Sequence, residues 1–355
     1  MNVSSIRAWQ VPDMSDDLLR LENIDVDFQT ARGVARAVRG VTLTLAQDTV
    51  LGLVGESGCG KSTLLKAIIR VMASNARISR GRILFRGQDL VNAPDAAMQA
   101  LRWRHVAMVT QSAMNALNPV QRIGAQIAEA IQTHDVVSRQ DVLARVREML
   151  SLVGVDPDRL RDYSHQFSGG MRQRVLIAMA LALGPELLLA DEPTTSLDVI
   201  VQDEIFRALR RLQQERRFSM ILVTHDIALV QRHCTQVAVM YAGEIVEQGP
   251  VDAVLRHGRH PYTMGLRNAV ARLDSRVEPI AIPGQPPDAV LPFVGCAFAP
   301  RCPFALQRCA TEAPVLTPAA SGHLVACHRA GAYAELEPLA RDPVTWDRML
   351  LSPSN

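Results

Sequence analysis

The stretch Gly55-Glu56-Ser57-Gly58-Cys59-Gly60-Lys61-Ser62-Thr63 constrains this chain more than any other. It fits G-x-x-x-x-G-K-[ST], the phosphate-binding P-loop, and its flanks agree. Val50 to Val54 reads as a short buried strand, and Lys61 to Val71 as a helix. Glycines let backbone N–H groups face an anion with no Cβ in the way. The helix N-terminus adds partial positive charge at the same place. Lys61 can reach β- and γ-phosphates, and the Ser62 hydroxyl can ligate Mg²⁺. The chain has 38 basic residues, and only Lys61 and Lys66 are lysines. A lysine here, in a chain that otherwise uses arginine, suggests that a point-charge ammonium is wanted. A chance glycine turn would need four fixed positions and the context to agree by accident.

At 355 residues the chain has room for one large domain and a smaller one. Its 48% hydrophobic content excludes global disorder. A net charge of +2 gives no electrostatic case for a nucleic-acid partner. No apolar run approaches ~18 residues, so no membrane span is expected. The N-terminus carries Asp13, Asp16 and Asp17 and no apolar core, unlike a signal peptide. A cytosolic chain is therefore expected.

Residues 1–18 read as a flexible tail. Leu19 to Phe28 and Val41 to Leu45 alternate apolar and polar, as half-buried antiparallel strands do, with Gly33 and Gly40 in the loop between. Ile83 to Phe85 and Val106 to Val109 are further strands. A helical subdomain is expected over about 112–185, with Ile123, Ile127 and Ile131 on one face and Val142, Val146, Leu150 and Val153 on another. Leu187 to Ala190, Met220 to Val223 and Val237 to Met240 are continuous apolar runs, suiting parallel strands covered on both faces. Asp203 to Glu215 reads as a helix. After about residue 257 prolines cluster and periodicity fades, so 257–333 is expected to be a loop-rich appendage and 334–355 a C-terminal tail.

Downstream of the P-loop, five features follow in a fixed order. Gln111 follows the strand Val106 to Val109. Ser168-Gly169-Gly170 opens a helix, offering another N-terminus to an anion. Asp191-Glu192 ends an apolar strand, where one carboxylate can support Mg²⁺ and the other orient a water. Ser196-Leu197-Asp198 comes next. His225 follows a buried strand, at the end of the sheet where ligands bind in open α/β folds. Each alone is weak; an acidic pair or a Ser-Gly-Gly usually means a solvated loop. In this order, over about residues 19–256, they resemble the ATP-binding cassette (ABC) family.

The resemblance implies an α/β P-loop NTPase fold with a mixed sheet core, an antiparallel β subdomain and a helical subdomain. It implies ATP and Mg²⁺ as cofactors. Gly55 to Thr63 would cradle the phosphates, and Ser62, Gln111 and Asp191 would serve Mg²⁺. Glu192 would be the catalytic base, His225 the switch histidine and Asp198 part of the D-loop. Ser168, Gly169 and Gly170 would reach a second cassette's nucleotide, because such cassettes act as head-to-tail pairs. Two readings fit Phe28, 33 residues before Lys61: a ring stacked under adenine, or a core residue of an alternating strand.

Three kinds of cassette compete. DNA-repair cassettes carry long insertions, whereas only 56 residues separate Gln111 from Ser168. A non-catalytic cassette would have a damaged site, and Lys61, Gln111, Asp191, Glu192 and His225 are all present. That leaves the ATPase subunit of a transporter whose membrane parts are other chains. Ala116-Leu117-Asn118-Pro119, Phe167 to Val175, His260-Pro261-Tyr262-Thr263 and Ile282-Pro283-Gly284-Gln285-Pro286-Pro287 resemble the oligopeptide/dipeptide permease ATP-binding subunits of bacteria. This implies import of peptides, or of nickel or another small solute, at the cytoplasmic face of the inner membrane. The partners implied are a second ABC ATPase subunit, two transmembrane permease subunits docked on the helical subdomain, and indirectly a solute-binding protein. Met171 replaces the glutamine common in the signature, which suggests a heterodimer of cassettes.

Cys296, Cys302, Cys309 and Cys327 crowd into the appendage without any C-x₂-C pair. Disulfides are disfavoured in the cytosol. Zinc, an iron–sulfur cluster or reduced buried thiols remain. Resemblance to the permease subunits, whose C-terminal cysteines can hold a [4Fe–4S] cluster, favours the cluster.

Overall fold

The computed structural model describes residues 17–110, 116–194, 197–269, 279–291 and 293–351. Alternating apolar residues give β1 (Asp17–Thr30) and β2 (Gly33–Ala46) a buried face, and the two pair antiparallel. With β4 (Ala76–Phe85) and β5 (Gln88–Asp89) they form a four-stranded antiparallel sheet in the order β2-β1-β4-β5. The hairpin is longer than the sequence suggested. Gly33 opens β2, and Gly40 lies within it at a left-handed φ of 54°, beside a register shift. Asp25 accepts a hydrogen bond from the Gly40 N–H there at 2.5 Å, so the bulge is held and the strand continues.

The second sheet has eight strands, ordered β11-β12-β10-β9-β3-β8-β7-β6. Its centre is β3 (Val50–Val54), parallel to β8 (Ser219–Val223) and β9 (Gln236–Tyr241). Beyond β8 lie β7 (Leu187–Asp191) and β6 (Val106–Val109), also parallel. The apolar runs are continuous because both faces are covered. Leu188 and Ala190 of β7 pack into a cluster with the helical subdomain, while Leu187 and Leu189 pack toward the antiparallel sheet.

Helix α1 (Lys61–Ile68) follows β3, and α2 (Asp95–Leu101) precedes β6. The helical subdomain comprises α3 (Ile123–His134), α4 (Arg139–Leu152) and α5 (Gly169–Leu181). Ile123, Ile127 and Ile131 of α3 meet Val142, Val146 and Leu150 of α4, all buried as their spacing predicts. Ser138 caps α4, its side chain accepting from the Asp141 N–H at 3.2 Å. Helix α6 (Val199–Arg216) starts earlier than its apolar spacing implied, because Asp198 caps it through the Val201 N–H at 3.0 Å. Helix α7 (Ile227–His233) links β8 to β9.

The C-terminal region departs from expectation. Strand β10 (Glu244–Pro250) pairs with β9, and α8 (Val251–His257) and α9 (Pro261–Asn268) follow. Strands β11 (Thr317–Ala320) and β12 (His323–Val325) then add to β10, so the appendage continues the main sheet across the expected boundary near 257. Within the expected C-terminal tail, residues 334–351 are largely helical, in α10 (Tyr333–Ala340) and α11 (Pro343–Leu351). Leu336, Ala340 and Trp346 are buried in a third core cluster with Tyr241, Tyr262 and Phe298. The Trp346 indole N–H donates to the Ala340 carbonyl at 2.8 Å, which satisfies its polar edge inside the core. Of the expected N-terminal tail, residues 1–16 lie outside the described residues, and Asp17 and Leu18 belong to β1.

Candidate functional site

All five residues of β3 are buried, which fixes the start of the P-loop. Gly60 stands at the N-cap of α1 with φ 106°. The Lys61 side chain folds back over the loop, its Nζ donating to the Gly55 and Glu56 carbonyls at 2.8 Å each. Cys59 is buried under it, with Sγ 3.5 Å from Nζ; burial pushes its thiol pKa up, and the Lys61 charge pulls the other way. Ser57 and Gly58 are exposed at the loop tip, and Thr63 sits half-buried in the first turn of α1.

Ser62 donates from Oγ to Asp191 Oδ1 at 2.8 Å, across 129 residues. The end of β7 thus meets the P-loop. Asp191 is only 4% exposed. Burial raises its pKa, opposed by the Ser62 hydrogen bond and by the charges of Lys66 and Lys61. A hydroxyl and a carboxylate on one point form a hard oxygen donor set that suits Mg²⁺.

Glu192 is the next residue, at a left-handed φ of 45° that a side chain seldom adopts. Its N–H donates to the Val223 carbonyl at 2.9 Å, tying it to the end of β8. Glu192 Oε2 lies 3.7 Å from His225 Nδ1, and the His225 side chain is 71% exposed. Asp226 beside it caps α7, accepting from the Ala228 and Leu229 N–H groups. Lys61, Ser62, Asp191, Glu192 and His225 therefore gather at the carboxyl ends of adjacent parallel strands. Gln111 and Ser196 lie outside the described residues.

Ser168 caps α5, accepting from the Met171 N–H at 3.3 Å, and is exposed. A Cβ on Gly170 would stand 2.6 Å from Val201 Cγ1, so Gly170 packs against the first turn of α6 that Asp198 caps. Gly170 of the expected signature thus lies beside the helix that Asp198 of the expected D-loop caps. Phe28 lies in β1 opposite Ala35 and Ala76, partly buried against the core of the antiparallel sheet.

Sequence reasoning missed what Glu56 does. Its carboxylate forms a two-point ion pair with Arg301, at 2.7 and 2.8 Å. Its N–H donates to Tyr262 Oη at 2.8 Å. The second residue of the P-loop is thus bound to the appendage on two sides. His260-Pro261-Tyr262-Thr263 stood out in the sequence only as a resemblance, and Arg301 was one arginine among many. Behind it, Glu247 is fully buried and accepts from the Arg259 and His260 N–H groups; its Oε1 lies 2.7 Å from His323 Nε2.

Cys296, Cys302, Cys309 and Cys327 do converge, lining one cavity of about 20 Å³ with Phe298 and Phe304. All four are free thiols. Burial raises the Cys296 and Cys302 pKa values and pushes Cys327 up to about 11, with neighbouring thiols, Cys309 among them in every case, raising them further. Among the described residues no group of three or more Cys, His, Asp or Glu is arranged to hold a metal ion. A cavity this size takes about one water. Four thiols are the right donors for a [4Fe–4S] cluster, but as placed they leave no room for one, and the expectation of a cluster is not met.

A P-loop serine bonded to the acidic end of a parallel strand, an antiparallel sheet alongside and a helical subdomain together define an ATP-binding cassette ATPase. Solved structures agree. The dimeric structure of MJ0796, a bacterial ABC transporter cassette, matches with TM-score 0.60 at 25% identity, over 66% of this chain and 98% of that one. A post-hydrolysis dimer of the same cassette bound to ADP and Pi gives 0.59. Residues 38–195 match the ABC transporter family, and residues 246–309 the oligopeptide/dipeptide transporter C-terminal region. A probable peptide ABC transporter ATP-binding protein, y4tR of Sinorhizobium fredii, is 42% identical over 91% of this chain and 98% of its own length. The dipeptide transport ATP-binding protein DppD of Bacillus subtilis is 42% identical over 88% and 94%. The oligopeptide transport ATP-binding protein OppD of Haemophilus influenzae is 42% identical over 87% and 96%. The chain belongs to this family of peptide-transport ABC ATP-binding proteins. Among the described residues no helix is long and apolar enough to cross a membrane.

Proposed function

We propose that this chain hydrolyses ATP to drive peptide import through separate membrane subunits, at the cytoplasmic face of the bacterial inner membrane. The observation that carries the reading is the 2.8 Å bond from Ser62 to Asp191, which joins a P-loop to an acidic strand end. The names of the relatives supply the solute class.

In this reading Lys61 leaves the Gly55 and Glu56 carbonyls for the β- and γ-phosphates, with N–H groups from Gly58 to Thr63 around them. Ser62 and Asp191 would hold Mg²⁺, which would neutralise charge on the phosphates, and the family resemblance gives Gln111 as the further residue serving it. Glu192 orients the attacking water and accepts its proton. His225, 3.7 Å from Glu192, senses the γ-phosphate and steadies the carboxylate. Ser168, Gly169 and Gly170, with Asp198 beside them, face the nucleotide of a second cassette, which Met171 suggests is a different chain. The subdomain of α3 and α4 docks the membrane subunits. The domain limits follow: a cassette over 19–256 and an appendage from 257 that closes its sheet.

Replacing the carboxylate of the base removes catalysis but not binding. In the assembled transporter Glu192→Gln should cut ATP turnover by ~10²–10⁴-fold while leaving nucleotide affinity near wild type. Near-normal turnover in that variant would refute the assignment.

A further inference from the structure

We infer that Arg301 and Tyr262 are positioning residues for the P-loop, so that the appendage sets how tightly the chain holds nucleotide. The inference rests on reading Gly55 to Thr63 as the ATP site.

The peptide groups of Gly55 and Glu56 are gripped from two sides. Lys61 takes both carbonyls, at 2.8 Å. Tyr262 takes the Glu56 N–H, and Arg301 takes the Glu56 carboxylate. Once the ammonium moves to phosphate, its hold on the two carbonyls is gone. The Glu56 carbonyl then keeps the Cys59 N–H at 3.3 Å within the loop, while the side-chain contacts that reach Glu56 from outside the loop come from the appendage, since Ser57 and Gly58 at the tip are exposed.

Both anchors are themselves buried and held by further contacts. Arg301 is 5% exposed, with Nε on the Pro283 carbonyl at 2.9 Å and Nη1 on Tyr241 Oη at 3.2 Å. Tyr262 is fully buried, its ring 4.6 Å from Tyr241 and 5.4 Å from Phe298 between centroids. Its N–H donates to His260 Nδ1 at 3.0 Å, and the His260 N–H donates to Glu247. The grip therefore runs from β10 through α9 to the loop without a flexible link. A guanidinium fork matches a carboxylate in two bonds at once, which a lysine cannot reproduce.

The test titrates the full-length chain with mant-ATP and Mg²⁺, recording melting temperature alongside. Energetic coupling between two such sites commonly amounts to ~5–150-fold. Arg301→Met should weaken mant-ATP binding by about tenfold on that scale, Tyr262→Phe by less, and Arg301→Lys should recover only part. Arg301→Met combined with Glu56→Gln should bind no more weakly than the worse single variant. In the assembled transporter KM for ATP should rise with kcat unchanged. A lower melting temperature with unchanged affinity in Arg301→Met would make the ion pair merely structural and overturn the inference. If Arg301→Met does not fold, Tyr262→Phe decides, because it removes one oxygen from a ring that stays packed; wild-type affinity there overturns the inference. Lys61→Ala separates the two levels. Its retained binding would sink the P-loop reading and this inference with it, whereas its loss beside unchanged Tyr262→Phe defeats the inference alone.

Discussion

Two glycines three residues apart in the P-loop should respond very differently to a methyl group. A Cβ on Gly55 would lie 2.1 Å from the Met240 carbonyl oxygen and 2.9 Å from Cys59 Sγ. A relaxed carbon–oxygen contact is ~3.3 Å, so something must move by about 1.2 Å. Met240 cannot yield easily, because β9 is paired on both sides, to β3 and to β10. The loop therefore moves, and a ~1 Å misplacement near the chemistry costs about 10²-fold in rate. Gly58, with φ 80°, has nothing within 4 Å of such a Cβ. Gly58→Ala carries only left-handed strain, ~1–2 kcal/mol, or about tenfold if all of it falls on nucleotide binding. Phosphate release by the assembled transporter, with mant-ATP titration of each chain, reads both. Gly55→Ala should lose about a hundredfold in kcat/KM, and Gly58→Ala about ten times less than that. Equal losses, or a milder Gly55→Ala, would refute the argument from packing.

Three further outcomes are expected. Trp346→Ala should lower unfolding free energy by ~3–5 kcal/mol, seen as an earlier denaturant midpoint; no shift would mean that residues 334–351 are a dispensable tail after all. Burial pushes the His260 pKa from 6.5 to about 4, with Glu247 opposing. Above pH 6.5 the ring is neutral in both states and stability is full; on acidification only the unfolded chain takes the proton, so stability falls between pH 6.5 and about 4, by at most ~3 kcal/mol. His260→Asn, which keeps an acceptor for the Tyr262 N–H, should flatten that limb of the pH–stability curve, and an unaltered slope would contradict the assignment. Protein purified anaerobically should contain neither iron nor zinc in stoichiometric amount by elemental analysis; brown protein carrying about four irons per chain would show that the cysteines open beyond the arrangement described.

The parallel strands were legible because Leu187 to Ala190, Met220 to Val223 and Val237 to Met240 are apolar at every position, short runs of the kind that suits a strand covered on both faces. The P-loop was legible because its chemistry leaves little choice of residue. Asp191 and Ser62 were each named in advance, and their bond is what the structure adds. The C-terminal third was harder. Trp346, Leu336 and Ala340 share one core but lie on short helices separated by Arg341-Asp342, too brief for a period of 3.6 to emerge. Strand β12 is three residues long and finds its place by pairing with a strand some 75 residues earlier, which no local pattern encodes. The Glu56–Arg301 pair, 245 residues apart, left no periodic trace either.

The outermost strand of the large sheet, β11, is Thr317-Pro318-Ala319-Ala320, and its proline sits opposite Leu324 of β12. Proline has no N–H to offer, so a further strand from another molecule finds a broken row of donors there. Were the chain cut before residue 317, β10 would become the margin, with Glu247 stripped of its His323 partner and an unpaired backbone beside Ile245 and Val246. Such a margin invites β-strands of other chains and hence aggregation. What looks in sequence like a proline-rich afterthought therefore serves as a selvedge, keeping a protein that must assemble through other surfaces from sticking to itself through this one.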